Sequence, residues 1–223
     1  MYKRRLSFRH TAPQHLQFKF SIHSLNLYLR WHHKRRRKQR RYGSCRGLIS
    51  GRVSISKRPE AVDNRKRFGD WEGDTVEGAK GSGGIASHVE RKSRYLVSAQ
   101  LSDKTAETMT IASAKAFRRV PRVMRKTLTV DNGKEFSYFK QLEKKTGFSI
   151  YFADPYSAWQ RGSNENTNGL IRQYFPKGAN FKDITNKDLA LAVKKLNHRP
   201  RKCLNYQTPH EAFYSAIRGA LAA

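Results

Sequence analysis

The chain has 223 residues, with 46 Lys and Arg against 17 Asp and Glu, and a formal net charge of +29. A surface this basic repels itself unless it meets a polyanion, and phosphate neutralisation with counterion release makes nucleic acid the fitting partner. No apolar run approaches the ~20 residues that cross a bilayer, and the basic N-terminus lacks the apolar stretch of a signal peptide. The expectation is a cytoplasmic, nucleoid-associated bacterial protein with no membrane partner. Cys45 and Cys203 have no Cys or His at metal-site spacing, so they read as reduced thiols.

Charge is uneven along the chain. Residues 1–67 hold 20 Lys and Arg against 2 acids, and we read them as a basic arm. The arm is densest at KRRRKQRRYG, where Lys34, Arg35, Arg36, Arg37, Arg40 and Arg41 are candidate DNA contacts. Residues 68–223 read as the folded domain. FGDWEGDTVEG has the alternation of a strand, with Asp70, Glu72, Asp74 and Val76 on one face. GGIASHVERKS and RYLVSAQLSD follow as two more strands with a tight connection near Lys92. A helix is expected from about Thr105 to Val120.

KTLTVDNG then reads as a short strand ending at Asp131, before an Asn-Gly turn. SYFKQLEKKTG reads as a helix capped by Gly147, and SIYFAD as a strand. Glu165 is expected to open a helix reaching Phe175, where Pro176 stops it. Two more helices follow, introduced by the caps TNKD and TPHE.

Three strands, then two strands each reached through a helix, make an antiparallel meander with two parallel additions. That is the order of a ribonuclease-H-like α/β fold: a mixed five-stranded sheet flanked by helices. In it the first and fourth strands are neighbours, and their ends bring Asp74 and Asp131 together. Phosphoryl transfer on nucleic acid needs an activated oxygen and a neutralised leaving group, and two Mg²⁺ ions supply both through hard carboxylate ligands. Asp74, Asp131 and Glu165 are the candidates. Alone, each has a plainer role: Asp131 as a turn former, Glu165 as a helix N-terminal charge, and Asp74 as a surface acid that Asp70 or Glu72 could replace.

GDWEGDTVEG (69–78), TVDNGKEF (129–136), YFADPYSAWQRGSNENTNGLIRQYFPKG (151–178) and LNHRPRKCLNYQTPHEAF (196–213) resemble the DDE transposases of bacterial insertion sequences, most closely the IS-thirty family. The resemblance covers about residues 26–215, and 33 residues lie between Asp131 and Glu165, as in the family pattern. It implies that Asp74, Asp131 and Glu165 are the catalytic triad and bind Mg²⁺ or Mn²⁺, two ions in all. It implies hydrolytic nicking at element ends, then attack of the freed 3′-OH on target DNA. It also implies a homo-oligomer acting on terminal inverted repeats.

Trp159, Arg161, Asn164, Asn168 and Arg172 surround the third acid as candidate DNA contacts, with Lys177 beyond them, and Glu135 reads as a supporting group. Family members carry helix-turn-helix segments upstream of the core, and residues 1–25 resemble none. The expectation is an N-terminally truncated copy. Two other readings stay open: a catalytically silent DNA-binding fragment, and a generic ribonuclease-H-like nuclease.

Overall fold

The computed structural model describes residues 49–222. The run from Lys34 to Arg41 lies outside the described residues. Five strands form one sheet: β1 (Asp70–Glu77), β2 (Gly84–Glu90), β3 (Leu96–Leu101), β4 (Thr127–Val130) and β5 (Ser149–Phe152). Their spatial order is β3-β2-β1-β4-β5. β1, β2 and β3 form the antiparallel meander, β4 runs parallel to β1, and β5 runs parallel to β4.

A parallel pair cannot be closed by a tight turn. α1 (Ala106–Phe117) therefore leads into β4, and α2 (Phe139–Thr146) into β5. Three further helices follow: α3 (Gly162–Ile171), α4 (Asn186–Asn197) and α5 (Pro209–Ala222). The expected sheet order is the observed one.

The sheet is covered on both faces. Trp71, Ala86 and Leu128 pack with Met109 and Phe117 of α1, Phe139 and Leu142 of α2, and Phe213 of α5. Val76, Ile85 and Val89 pack on the other side with Leu170 and Ile171 of α3 and Leu189, Ala192 and Leu196 of α4. Neighbouring residues Ile85 and Ala86 serve opposite cores because a strand alternates its side chains. The indole of Trp71 is fully buried and donates from Nε1 to the Met124 carbonyl at 2.8 Å, so its one polar atom is satisfied.

Local signals set most boundaries. Thr185 and Asp188 form a reciprocal capping box at the start of α4. Thr208 and Glu211 do the same at α5, with bonds of 3.1 and 2.8 Å. α2 ends at Gly147 with φ 79°, a left-handed residue that favours glycine. α3 departs from expectation: it starts at Gly162 and ends at Ile171, with only turns over the last residues before Pro176. Its start is held from outside the helix. The Asn164 N–H, in the first turn, donates to Glu72 Oε2 on β1 at 2.9 Å.

Residues 49–67 also pack on the sheet. Phe152 N–H donates to the Val53 carbonyl at 2.8 Å, beside the outer edge of β5. Val62 is fully buried. Arg58 is buried and donates from Nη1 to Thr129 Oγ1 at 2.8 Å.

Candidate active site

β1 pairs with β4 in parallel register, Asp70 opposite Thr127 and Glu72 opposite Thr129. Continuing that step of two brings Asp74 level with Asp131, just past the end of β4. The three acids on this face of β1 differ sharply. Asp70 is buried, paired with Arg67 at 2.8 Å and accepting from Thr127 Oγ1 at 2.7 Å. Glu72 is fully buried, with one carboxylate oxygen on Arg91 at 2.8 Å and the other on the Asn164 N–H. Asp74 alone opens to solvent, its side chain 23% exposed. The face that alternation left ambiguous thus has two acids committed to structure and one to the surface.

Arg161 stands between Asp74 and Asp131. Its Nη1 lies 3.2 Å from Asp74 Oδ2, and its Nη2 lies 3.5 Å from Asp131 Oδ2. Burial pushes the Asp74 carboxyl above its ordinary range, Arg161 opposes that rise, and the neighbouring Asp131 adds to it. Asn168 of α3 steadies the same carboxylate: its Nδ2 donates to Asp74 Oδ2 at 3.0 Å, while Ser87 Oγ donates to its Oδ1 at 2.7 Å.

Asp131 is held by its own turn, accepting the Gly133 N–H at 2.9 Å. Glu135 folds back beside it, buried, with Lys104 3.2 Å away. Burial raises the Glu135 carboxyl, Lys104 opposes the rise, and Asp131 adds to it. A Cβ on Gly133 would strike the Glu135 carboxylate and sit 2.9 Å from Asp131 Oδ1, so this glycine permits a close approach.

Glu165 lies in the first turn of α3, three residues before Asn168. It is exposed on α3, and among the described residues no group of three His, Cys, Asp or Glu side chains is close enough to hold a metal ion. Arg172 is half-buried, its guanidinium 5.8 Å from the Phe181 ring, and Lys177 is exposed. Asn164, expected at the DNA face, is fully buried instead: its Nδ2 donates to the carbonyls of Glu72 at 3.0 Å and Ser87 at 3.1 Å. Trp159 is 75% exposed, which takes it out of the core. The buried Glu72–Arg91 pair and Arg58 escaped sequence reading, because long-range pairing leaves no local pattern.

The sequence pattern of the integrase core domain matches residues 64–158, a span containing Asp74 and Asp131. The chain is 43% identical over 193 residues to the transposase for insertion sequence element IS4351 of Bacteroides fragilis, covering 86% of this chain and 59% of that protein. It is likewise 43% identical over 210 residues to transposase InsI for insertion sequence element IS30A of Escherichia coli K12, covering 94% of this chain and 52% of that one. Over these lengths the chain is similar to IS30-type transposases of bacterial insertion sequences. It spans between half and three-fifths of the length of these relatives.

The fold is that of a solved core domain. The catalytic core domain of BIV integrase superposes with a TM-score of 0.55 at 21% identity, covering 70% of this chain and 99% of that domain. Integrase-type cores depend on divalent metal ions as a class. The residues here fit such an ion: two facing carboxylates offer hard oxygen donors, and the arginine between them shows that the spot attracts positive charge. Among the described residues no helix is long and apolar enough to cross a membrane.

Proposed function

We propose that this chain acts as a transposase, cutting DNA at the ends of an insertion sequence and joining the freed ends to target DNA. The observation that carries the reading is the facing pair Asp74 and Asp131 on adjacent parallel strands, with Arg161 between them. Asp74, Asp131 and Glu165 are the proposed ligands of two divalent ions, Mg²⁺ or Mn²⁺. Bound there, the ions supply an activated attacking oxygen and neutralise charge on the leaving oxygen.

The protein's own part is positional. Asn168 and the Gly133 N–H fix the two aspartates. Arg161, Arg172 and Lys177 offer cations to DNA phosphates. In the first step a water oxygen bonds to phosphorus and the 3′ oxygen leaves, giving a 3′-OH. In the second step that hydroxyl bonds to a target phosphorus and displaces another 3′ oxygen. No protein side chain becomes covalently attached.

Glu165 would join the aspartates only on metal and DNA binding, and its exposed position on α3 leaves it free to do so. We assign residues 68–223 to the catalytic body, with residues 49–67 packed on its sheet, and read the basic sequence before them as an arm that adds salt-sensitive affinity without reading bases. A homo-oligomer on paired terminal inverted repeats completes the proposal.

The test is 3′-end nicking and strand transfer on element-end DNA with Mg²⁺. The parent should react, and Asp131→Asn and Glu165→Gln should each lose the reaction while still binding DNA. Retained activity in either variant removes that residue from the site. Tight DNA binding without metal-dependent cleavage by the parent favours the silent-fragment reading. Preferential cleavage of RNA–DNA hybrids favours the nuclease reading.

A further inference from the structure

A cavity of about 410 Å³ lies beside the candidate site, within the range of ligand pockets. Its walls are Ile55, Ser56, Arg58, Asp63, Arg65, Arg91, Asp154, Trp159 and Gln160. Three chain segments meet there: the stretch before β1, the β2–β3 turn, and the loop after β5. Three arginines face two acids. Asp63 is engaged by Arg58, with Arg91 3.8 Å away, and Asp154 accepts from Gln160 Nε2 at 2.9 Å. Arg65 is exposed, and among the described residues no side-chain hydrogen bond or ion pair holds it.

Two observations point to a ligand. Arg58 and Arg91 are both more than nine-tenths buried, and each keeps an Nε–H with no partner. A buried donor left unpaired is costly, and both of these belong to arginines that line the cavity, so its wall is rich in positive charge whose hydrogen bonding is incomplete. The second observation is Trp159, the most exposed large hydrophobic side chain among the described residues, with no ring stacked on it among them. Burial and the nearby charges of Arg94 and Arg91 lower the Arg65 guanidinium, which also suits an anion.

The cavity is tied to the reacting region. Gln160 precedes Arg161, Arg58 grips Thr129 two residues before Asp131, and Arg91 shares Glu72 with Asn164 of α3. A concave site with one free aromatic face and a free cation admits a single base and its phosphate, and a stacked duplex presents neither separately. We infer that this cavity takes one unpaired nucleotide of the DNA substrate, its base on Trp159 and its phosphate on Arg65 and the arginine wall. The inference rests on the DNA-processing reading above and adds where a displaced nucleotide goes.

Three duplex probes separate the outcomes, measured by fluorescence anisotropy with the full chain in EDTA. One is blunt, one ends in a single unpaired nucleotide, and one carries an abasic residue at that place. The unpaired nucleotide should bind about tenfold tighter than the blunt end, and the abasic probe, which keeps the phosphate but not the base, should fall between the two. Trp159→Ala should erase the difference between the nucleotide and abasic probes, Trp159→Phe should keep most of it, and Arg65→Ala should reduce the margin of both over the blunt end several-fold. Thermal melts of each variant check that the fold is kept.

Equal binding of all three probes by the parent overturns the proposal, and so does a preference for the nucleotide over the abasic probe that survives Trp159→Ala. An abasic probe bound as tightly as the nucleotide marks a phosphate site only and also overturns it. Nicking by the parent with no probe preference removes the pocket and leaves the transposase reading standing. A Trp159-dependent preference in a chain that never nicks does the reverse.

Discussion

The guanidinium of Arg161 stands 3.2 Å from the carboxylate of Asp74. Its other nitrogen reaches Asp131 at 3.5 Å, so one arginine offsets two neighbouring acids. A cation placed there competes with any metal ion that uses the same oxygens. Removing it should weaken the metal-free protein and strengthen metal binding. Arg161→Ala is expected to lose about 1–2 kcal/mol without metal, discounted because the aspartates are partly exposed. It should then gain more melting temperature from added Mg²⁺ than the parent does. Thermal shift with and without Mg²⁺ reads both effects, and equal metal-induced shifts in the two proteins would count against the competition.

Acids two residues apart on β1 should respond in opposite ways. Glu72 is fully buried between Arg91 and the first turn of α3. Glu72→Ala strands a buried guanidinium and an amide, and about 3–5 kcal/mol should disappear from urea unfolding. Burial raises the Asp74 carboxyl, so its charge costs the folded protein something. Asp74→Asn should therefore stay within about 1 kcal/mol of the parent while losing nicking. A collapse of stability in Asp74→Asn would make it a structural acid like Glu72.

The contrast between these two residues shows where sequence reading stops. Period-two alternation correctly put Asp70, Glu72 and Asp74 on one face, since strand geometry is local. Which of them is exposed depends on α3 lying across that face, and α3 is about ninety positions away in sequence. The caps at Thr185 and Thr208 and the left-handed Gly147 were legible for the same local reason. The start of α3 was not. GSNENTNG has little apolar periodicity, and its first turn is capped by Glu72 from another element. Asn164 illustrates the cost: a polar residue in a polar run reads as surface, yet it is buried because two strand carbonyls wait for its amide.

Gly133 tests the packing around Asp131. Its φ of −65° suits any residue, so alanine brings no backbone strain. The obstacle is contact, because a Cβ there would meet the buried Glu135 carboxylate and crowd Asp131. Gly133→Ala should fold with a near-parental melt yet nick at least about tenfold more slowly, since small misplacements at a reacting centre are costly. Unchanged nicking would mean that Glu135 swings aside without moving Asp131.

His88 gives the pH dependence. It is fully buried, its Nε2 2.9 Å from Ser113 Oγ and its Nδ1 without a partner. Burial lowers it from 6.5 to about 3. The folded protein therefore resists a proton that the unfolded chain accepts, and stability falls as pH drops from 6.5 toward 3. One such group contributes at most about 1.4 kcal/mol per pH unit, so the loss between about pH 7 and about pH 5 is about 2 kcal/mol. Carboxylates titrate nearby, so the His88 share is the difference between the parent and His88→Gln, whose amide can still meet Ser113. Urea midpoints at the two pH values should fall more steeply for the parent than for the variant. Parallel slopes would assign the acid sensitivity to the buried carboxylates instead.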